Sequence, residues 1–374
     1  MGELLKGFIN GPKFIGGIVL KGIRYIGIGC YTILTNKLTL CVLVISLIMG
    51  VIQVSTGYRE EILRQEQEMM MVDEETSINY YYDDVSQVNY GESMAITDMI
   101  KCYQANVNLD SVPDSMVSLI NKLDNLYNSS SKYFSFLYHD LFSGFTVEYN
   151  AASPIFTAST IKAPAMIYIY EMASLGMVDL NEKLVYTRNF YHGGSGVLKN
   201  KAYDTEYTVE ELLQYTIYDS DNIAYKMLMN RFGQINIREF WRGKGTNNIF
   251  ELNTIWGYMS ANEAMIYMKE LYRFSKDNEE YGSKLLEHFK KAKWKQISNK
   301  DGEYNTANKG GWSGTAFHDI AIVFDENPYI LVVMSNAGEG SYKHLFSETS
   351  KLVGSLHEEY WKYKEQLCSN IKLY

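Results

Sequence analysis

Three short motifs in the second half of the chain carry residue types that could act together on one bond. Ser159-Thr160-Ile161-Lys162 comes first, Ser220-Asp221-Asn222 second and Lys309-Gly310-Gly311 third. A serine hydroxyl is a weak nucleophile at neutral pH and needs a base. Lys162 can serve once its pKa falls, and burial together with the nearby charge of Lys309 pushes it down. The i, i+3 spacing puts Ser159 and Lys162 on one face of a helix. Ser220 offers a second hydroxyl for proton transfer. Together the motifs imply acyl transfer through an acyl-serine.

Neighbouring sequence separates the informative matches from the trivial ones. The pattern S-x-x-K occurs three times, starting at Ser129, Ser159 and Ser369. Ser129 lies in a polar run that reads as loop, and Ser369 lies at the extreme C-terminus. Only Ser159 follows an apolar approach, Pro154 to Ala158, and precedes an apolar helical run, Ala163 to Glu171. Pro164 falls in the first turns of that helix, where a missing N–H costs least. Ser220 and Asp221 are also what a helix start needs before Ile223 to Leu228, and capping is compatible with catalysis. Lys309-Gly310-Gly311 taken alone equally reads as a turn before a strand.

The elements that must position these groups begin near Ser111. Met116 to Leu126 reads as an amphipathic helix. Tyr133 to His139 and Phe145 to Asn150 read as strands joined at Ser143-Gly144. The serine helix and a helical region through Phe232 follow, then a loop region to Asn262 and a helix from Ala264 to Phe274. Phe317 to Phe324 and Tyr329 to Met334 read as a strand pair, which puts Lys309 at or near a sheet edge. A helix from Ser347 to Lys364 closes the pattern. Strands at both ends and helices in the middle predict an α/β (α+β) fold: one antiparallel sheet built from both ends of the domain, with flanking helices and a helical lobe.

With the order and spacing of the three motifs, residues from roughly Ser111 to Tyr360 resemble the penicillin-recognising serine hydrolases, in their class A β-lactamase-like branch. Gly193 to Leu198 looks like the family's glycine segment before the second motif. Tyr207 to Leu213 looks like the helix leading into it, and His318 to Val323 like the strand after the third motif. The resemblance implies the β-lactamase/transpeptidase-like fold. It implies Ser159 as nucleophile, Lys162 as base, Ser220 as proton relay to the leaving nitrogen, Lys309 beside it, and Asn222 positioning the substrate amide. Gly311, Trp312 and Ser313 would border the substrate, with the backbone N–H groups of Ser159 and Trp312 forming the oxyanion hole. Two positions depart from the family. Gly310 stands where Thr or Ser usually helps hold a substrate carboxylate; Ser313 and Thr315 are candidates to replace that hydroxyl. The segment resembling the family's deacylation motif reads Ile249-Phe250-Glu251-Leu252-Asn253, with Ile249 at the water-activating position. Glu251 is a substitute base only if the loop is rearranged; otherwise it is an ordinary surface carboxylate. Acylation is therefore better supported than rapid hydrolysis.

The rest of the chain sets the context. A 374-residue chain with 46% hydrophobic residues can hold one large domain plus additional segments. Its net charge of -9 argues against nucleic acid as a partner. Cys30, Cys41, Cys102 and Cys368 are scattered, with no metal spacing and no disulfide framework expected; no cofactor or metal is implied. Leu38 to Tyr58 carries no charge and is long enough as a helix to cross a bilayer core of about 30 Å. Lysines and Arg24 precede it and acidic residues follow. The expected organisation is a cytoplasmic segment (1–37), a single transmembrane helix (38–58), an acidic stalk (59–110) and a serine hydrolase domain (111–374) outside the cell membrane. A cleaved signal peptide competes with the anchor. The expected substrate is a small-molecule β-lactam or a related amide. The alternatives are a D,D-peptidase acting on peptidoglycan peptides, or a penicillin-binding sensor with slow deacylation.

Overall fold

The computed structural model describes residues 79–82, 112–247, 255–338 and 342–370. The expected cytoplasmic segment, membrane span and most of the stalk lie outside the described residues, as do Ile249 and Glu251. Among the described residues no helix is long and apolar enough to cross a membrane.

In chain order the elements are β1 (Asn79–Tyr82), α1 (Asp114–Asn128), β2 (Phe134–Asp140), β3 (Phe145–Tyr149), β4 (Ile155–Phe156), a 3-10 turn (Ala158–Ile161) and α2 (Lys162–Ser174). There follow β5 (Lys183–Tyr186), β6 (Thr205–Thr208), α3 (Val209–Tyr218), α4 (Asn222–Phe232), α5 (Gln234–Arg242), β7 (Tyr258–Met259), α6 (Ala261–Asp277) and α7 (Tyr281–Lys290). Strands β8 (Thr306–Ser313), β9 (Ala316–Val323) and β10 (Tyr329–Ser335) and helix α8 (Lys343–Asn370) complete the set.

The main sheet has the order β1-β3-β2-β10-β9-β8, and every pairing in it is antiparallel. It is built from both ends of the domain, as the sequence pattern predicts. Period-two alternation sends the two faces of each strand into separate cores. Leu137, Ile320, Ile322, Ile330, Val332 and Met334 join the core beneath the helical lobe. Phe136, Tyr138, Val323, Leu331 and Val333 face the other way, onto α1 and α8. Both faces are covered, so β9 and β10 are buried along their whole length. Many of the tyrosines are core residues: Tyr127, Tyr138, Tyr170, Tyr225 and Tyr267 are among the largest fully buried side chains.

The structure also adds to and corrects the sequence reading. Asn79–Tyr82 pairs with β3, so part of the acidic stretch adds a strand to the sheet. Helix α5 lies in the region read as loop; Ile237 and Trp241 are buried on its inner face and Phe240 packs against the same core. Lys309-Gly310-Gly311 lies inside β8, the edge strand of the main sheet, so Lys309 is at a sheet edge as the sequence reading has it, and the reading of the motif as a turn does not hold. Cys368 is disulfide-bonded, against the expectation that the cysteines form no such link.

Candidate active site

Ser159 sits on the 3-10 turn that leads into α2, and three contacts fix that turn. Short strand β4 pairs with β7, and the Thr157 N–H donates to Gly257 O at 3.0 Å. His318 on β9 reaches under the turn. Its Nδ1 accepts the Ser335 N–H at 3.0 Å, so the ring proton is on Nε2, which donates to Phe156 O at 2.7 Å. Burial lowers the His318 pKa to about 4, which keeps this ring neutral. The third contact is β8 itself: a Cβ on Gly311 would stand 2.8 Å from the amides of both Ser159 and Thr160. Residue 311 must therefore be glycine for the strand to approach Ser159.

Lys162 opens α2 and is fully buried. Its Nζ donates to Ser220 O at 2.6 Å and Asn222 Oδ1 at 2.7 Å, and lies 3.2 Å from Ser159 Oγ. Two N–H bonds thus go to strong acceptors. In the neutral amine the remaining lone pair is available to the serine hydroxyl. Burial, then the Lys309 charge, drive its pKa well below the usual lysine range, while Asp221 opposes them. The rings of Tyr225 and Trp256 each lie 5.6 Å from Nζ and complete its enclosure.

The second motif does two jobs with adjacent residues. Asp221 caps α4, its Oδ1 accepting the Ile223 and Ala224 N–H groups at 2.8 and 3.0 Å. Its Oδ2 accepts the Val197 and Leu198 N–H groups at 2.6 and 2.8 Å. One carboxylate therefore ties the glycine segment to the helix start. Gly196, at φ 114°, packs so tightly on Asp221 that a Cβ would overlap the carboxylate. Ser220 precedes the cap in a left-handed conformation, φ 51°, uncommon for a residue with a side chain. Asn222 accepts from Lys162 and donates through Nδ2 to Gly193 O at 2.9 Å.

Lys309 donates from β8 to Ser220 Oγ at 2.9 Å and to Gly310 O at 2.9 Å. Burial lowers its pKa to about 7, partly offset by Asp319. Ser220 Oγ thus lies within reach of two lysine nitrogens, at 2.9 Å from Lys309 and 3.3 Å from Lys162. Asp319 is itself buried, and its pKa rises to about 6 although its Oδ2 accepts the Gln296 and Ile297 N–H groups. The Gly310 departure has a local cause: a Cβ there would stand 3.0 Å from the Trp294 carbonyl oxygen. Ser313 Oγ accepts the Thr315 N–H at 3.2 Å.

These groups open onto a cavity of about 610 Å³ whose lining includes Phe156, Ser159, Asn222, Trp256, Trp312 and Ser313. Ser159, Lys162, Ser220, Asn222 and Lys309 form one connected cluster, and Gly311 packs directly against it. Trp312 and Ser313 border the same cavity. Glu251 lies outside the described residues. The sequence reading missed Trp256, Tyr225 and the hydrogen-bonding role of His318. A buried histidine on an apolar strand was the one available signal for the last of these.

Comparisons with known proteins bear on the family and the fold. A sequence model described as the Beta-lactamase enzyme family matches residues 118–360. No curated protein matches the chain in sequence. Among solved structures, one described as PBP-A superimposes with a TM-score of 0.59 at 19% identity, covering 65% of this chain and 96% of that one. An acyl-enzyme complex of a PBP-A variant with penicillin G gives 0.60 at 18% identity, covering 65% and 97%. A β-lactamase from Sphaerobacter thermophilus gives 0.56 at 17% identity, covering 67% and 97%. At these identities the likeness shows the β-lactamase/transpeptidase-like fold.

Proposed function

The chain belongs to the Beta-lactamase enzyme family, and on that footing we propose that it is a membrane-anchored serine hydrolase acting on β-lactams or related amides through an acyl-serine. The observation that carries the reading is the Lys162 amine, buried and 3.2 Å from Ser159 Oγ, with its pKa lowered by burial and by Lys309. Neutral Lys162 takes the Ser159 proton as Oγ bonds to the carbonyl carbon. The oxyanion that forms accepts the backbone N–H groups of Ser159 and Trp312. As the C–N bond breaks, Ser220 gives its proton to the leaving nitrogen and recovers one from protonated Lys162, 3.3 Å away. Asn222 positions the substrate amide. Water then cleaves the ester.

The anchor is the uncharged stretch 38–58, with its basic approach and acidic exit. A disulfide at Cys368 fits an oxidising compartment, which favours a domain held outside the cytoplasm.

The second reading is a D,D-peptidase or a penicillin-binding sensor, and Ile249 at the expected deacylation position favours it. Penicillin G, captured on the PBP-A variant, is the probe for this chain. Labelled penicillin G incubated with residues 59–374 separates the cases. Formation and rapid release of an adduct means a β-lactamase, and a lasting adduct means a peptidase or sensor. No adduct on the wild-type protein would remove the β-lactam assignment.

A further inference from the structure

Helix α3 ends just before the left-handed turn at Ser220, and it carries a hydrogen-bonded chain that the acyl-serine chemistry leaves unused. Glu210, Gln214 and Tyr218 recur every four residues along one face of α3. His288 of α7 is buried and bridges the ends of that face. Its Nε2 lies 2.9 Å from Glu210 Oε1, and its Nδ1 lies 2.6 Å from the Tyr218 hydroxyl. Tyr170 of α2, fully buried, donates to Glu210 Oε2 at 2.6 Å. Gln214 and Lys284 reach Oε1 at 3.1 and 3.0 Å. The rings of Tyr170 and Tyr218 pack on the His288 ring, with centroids 5.9 and 5.5 Å away.

The proton positions in this chain follow from its ends. Burial works against the Glu210 charge, but hydrogen bonds from His288, Tyr170, Gln214 and Lys284 outweigh it and bring its pKa down to about 2. An ionised carboxylate only accepts, so His288 carries a proton on Nε2. Burial, and then the Glu210 charge, raise the pKa of Tyr170 and of Tyr218, so both remain phenols. In the neutral ring His288 Nδ1 then accepts the Tyr218 O–H. A carboxylate satisfied in this way adds little net stability over apolar packing, yet it fixes the relative positions of the groups around it.

Those groups come from the segments that carry the reacting side chains. Tyr170 lies about two turns along the helix that Lys162 opens. Tyr218 is two residues before Ser220. Beyond His288, Lys295 Nζ donates to Lys290 O at 2.7 Å and to Thr306 O at 2.6 Å, which ties the end of α7 to β8, the strand of Lys309. Asp221 clamps the chain after Ser220. Around Ser220 itself, the Tyr215 carbonyl accepts the Asp219 and Asp221 N–H groups, both at 3.1 Å. The end of α3 is thus what holds Ser220 at its φ of 51°, a conformation that persists only where the surroundings enforce it. We infer that Tyr218, held by His288 and Glu210, is a positioning residue for Ser220: it fixes the end of α3 so that Ser220 Oγ faces the nitrogen that leaves. This rests on the acyl-serine reading above. There, Ser159 Oγ bonds to the acyl carbon as Lys162 takes its proton, and the C–N bond breaks. The Ser220 proton passes to the nitrogen and is replaced from Lys162.

The test compares two leaving groups. Penicillin G needs a proton on its departing nitrogen, whereas p-nitrophenyl acetate loses a stabilised phenolate that needs none. Acylation of Ser159 in the full chain in detergent is timed by mass spectrometry, with Ser159→Ala as the blank and thermal unfolding as the check that each variant is folded. Tyr218→Phe should slow acylation by penicillin G by about tenfold or more and leave acylation by the ester nearly unchanged. Ser220→Ala should show the same pattern in stronger form. His288→Phe should follow Tyr218→Phe, and the double variant should be no slower than the worse single one, because the two residues act as one chain. A purely structural role would slow both probes alike. Equal slowing of both probes in Tyr218→Phe, or wild-type rates in that variant, overturns the inference; a selective loss in Ser220→Ala then leaves the acyl-serine reading standing. No acylation of the wild-type protein at Ser159 by either probe rejects both.

Discussion

Gly311 approaches Ser159 so closely that a single methyl group on it would stand 2.8 Å from the Ser159 amide nitrogen. The same methyl would meet Thr160 N at 2.8 Å and Thr157 O at 3.0 Å, all backbone atoms that cannot rotate away. Gly311→Ala should therefore destabilise the domain by about 1–3 kcal/mol, the usual range for overpacking. Pushing β8 away from the 3-10 turn should also slow acylation of Ser159 more than tenfold. Urea unfolding and adduct formation, measured on the same preparation, check both effects. An unchanged midpoint would mean that β8 does not approach this closely.

Asp221 holds two segments together with one carboxylate, through four backbone N–H groups. Asp221→Ala removes an N-cap, typically worth ~0.5–2 kcal/mol, and strands the amides of Val197 and Leu198, so the loss should be at least about 2 kcal/mol. Asp221→Asn keeps an acceptor for the cap and should fall between the two. Acylation should drop in parallel, because Asn222 and Ser195 are held by the same clamp. Thermal unfolding of the three proteins gives the order.

Lys309 makes folding depend on pH in a definite direction. Its folded-state pKa is lowered to about 7 from 10.5, so between those values the unfolded chain binds the additional proton. Stability from this group therefore rises as the pH increases from about 7 to about 10. Lys309→Met should flatten that rise, and the difference between variant and wild-type stability curves isolates it from surface groups. A difference that is constant across this window would show that Lys309 is not held at a lowered pKa.

Much of this architecture is visible in the sequence, for identifiable reasons. Helix α1 and strands β2, β3, β9 and β10 announce themselves by periodicity. Ser159 and Lys162 stand out because an apolar approach and an apolar helix surround them. Other features depend on contacts between distant segments. Gly310 and Gly311 look like a turn, yet they are strand residues. Their missing side chains make room for the Trp294 carbonyl and the Ser159 turn. The left-handed backbone of Ser220 has no signature in a Ser-Asp-Asn triplet, which equally describes a helix cap, and Asp221 does serve as that cap. Helix α5 does carry a helical periodicity, with Ile237 and Trp241 buried and Phe240 packed against the same core, but it is short and follows Gly233, and the loop reading passes over it. Trp256 lies far from the motifs in sequence, and only the fold brings it to the cavity over Ser159.

The central claim is that Ser159, activated by Lys162, is the one residue acylated. Peptide mapping of the penicillin G adduct by mass spectrometry tests it most directly. The account predicts one modified peptide, carrying the label on Ser159. That label should be absent in Ser159→Ala and strongly reduced in Lys162→Ala, and should persist in Ser129→Ala and Ser369→Ala. A label that maps to another residue, or that survives in Ser159→Ala, would contradict it.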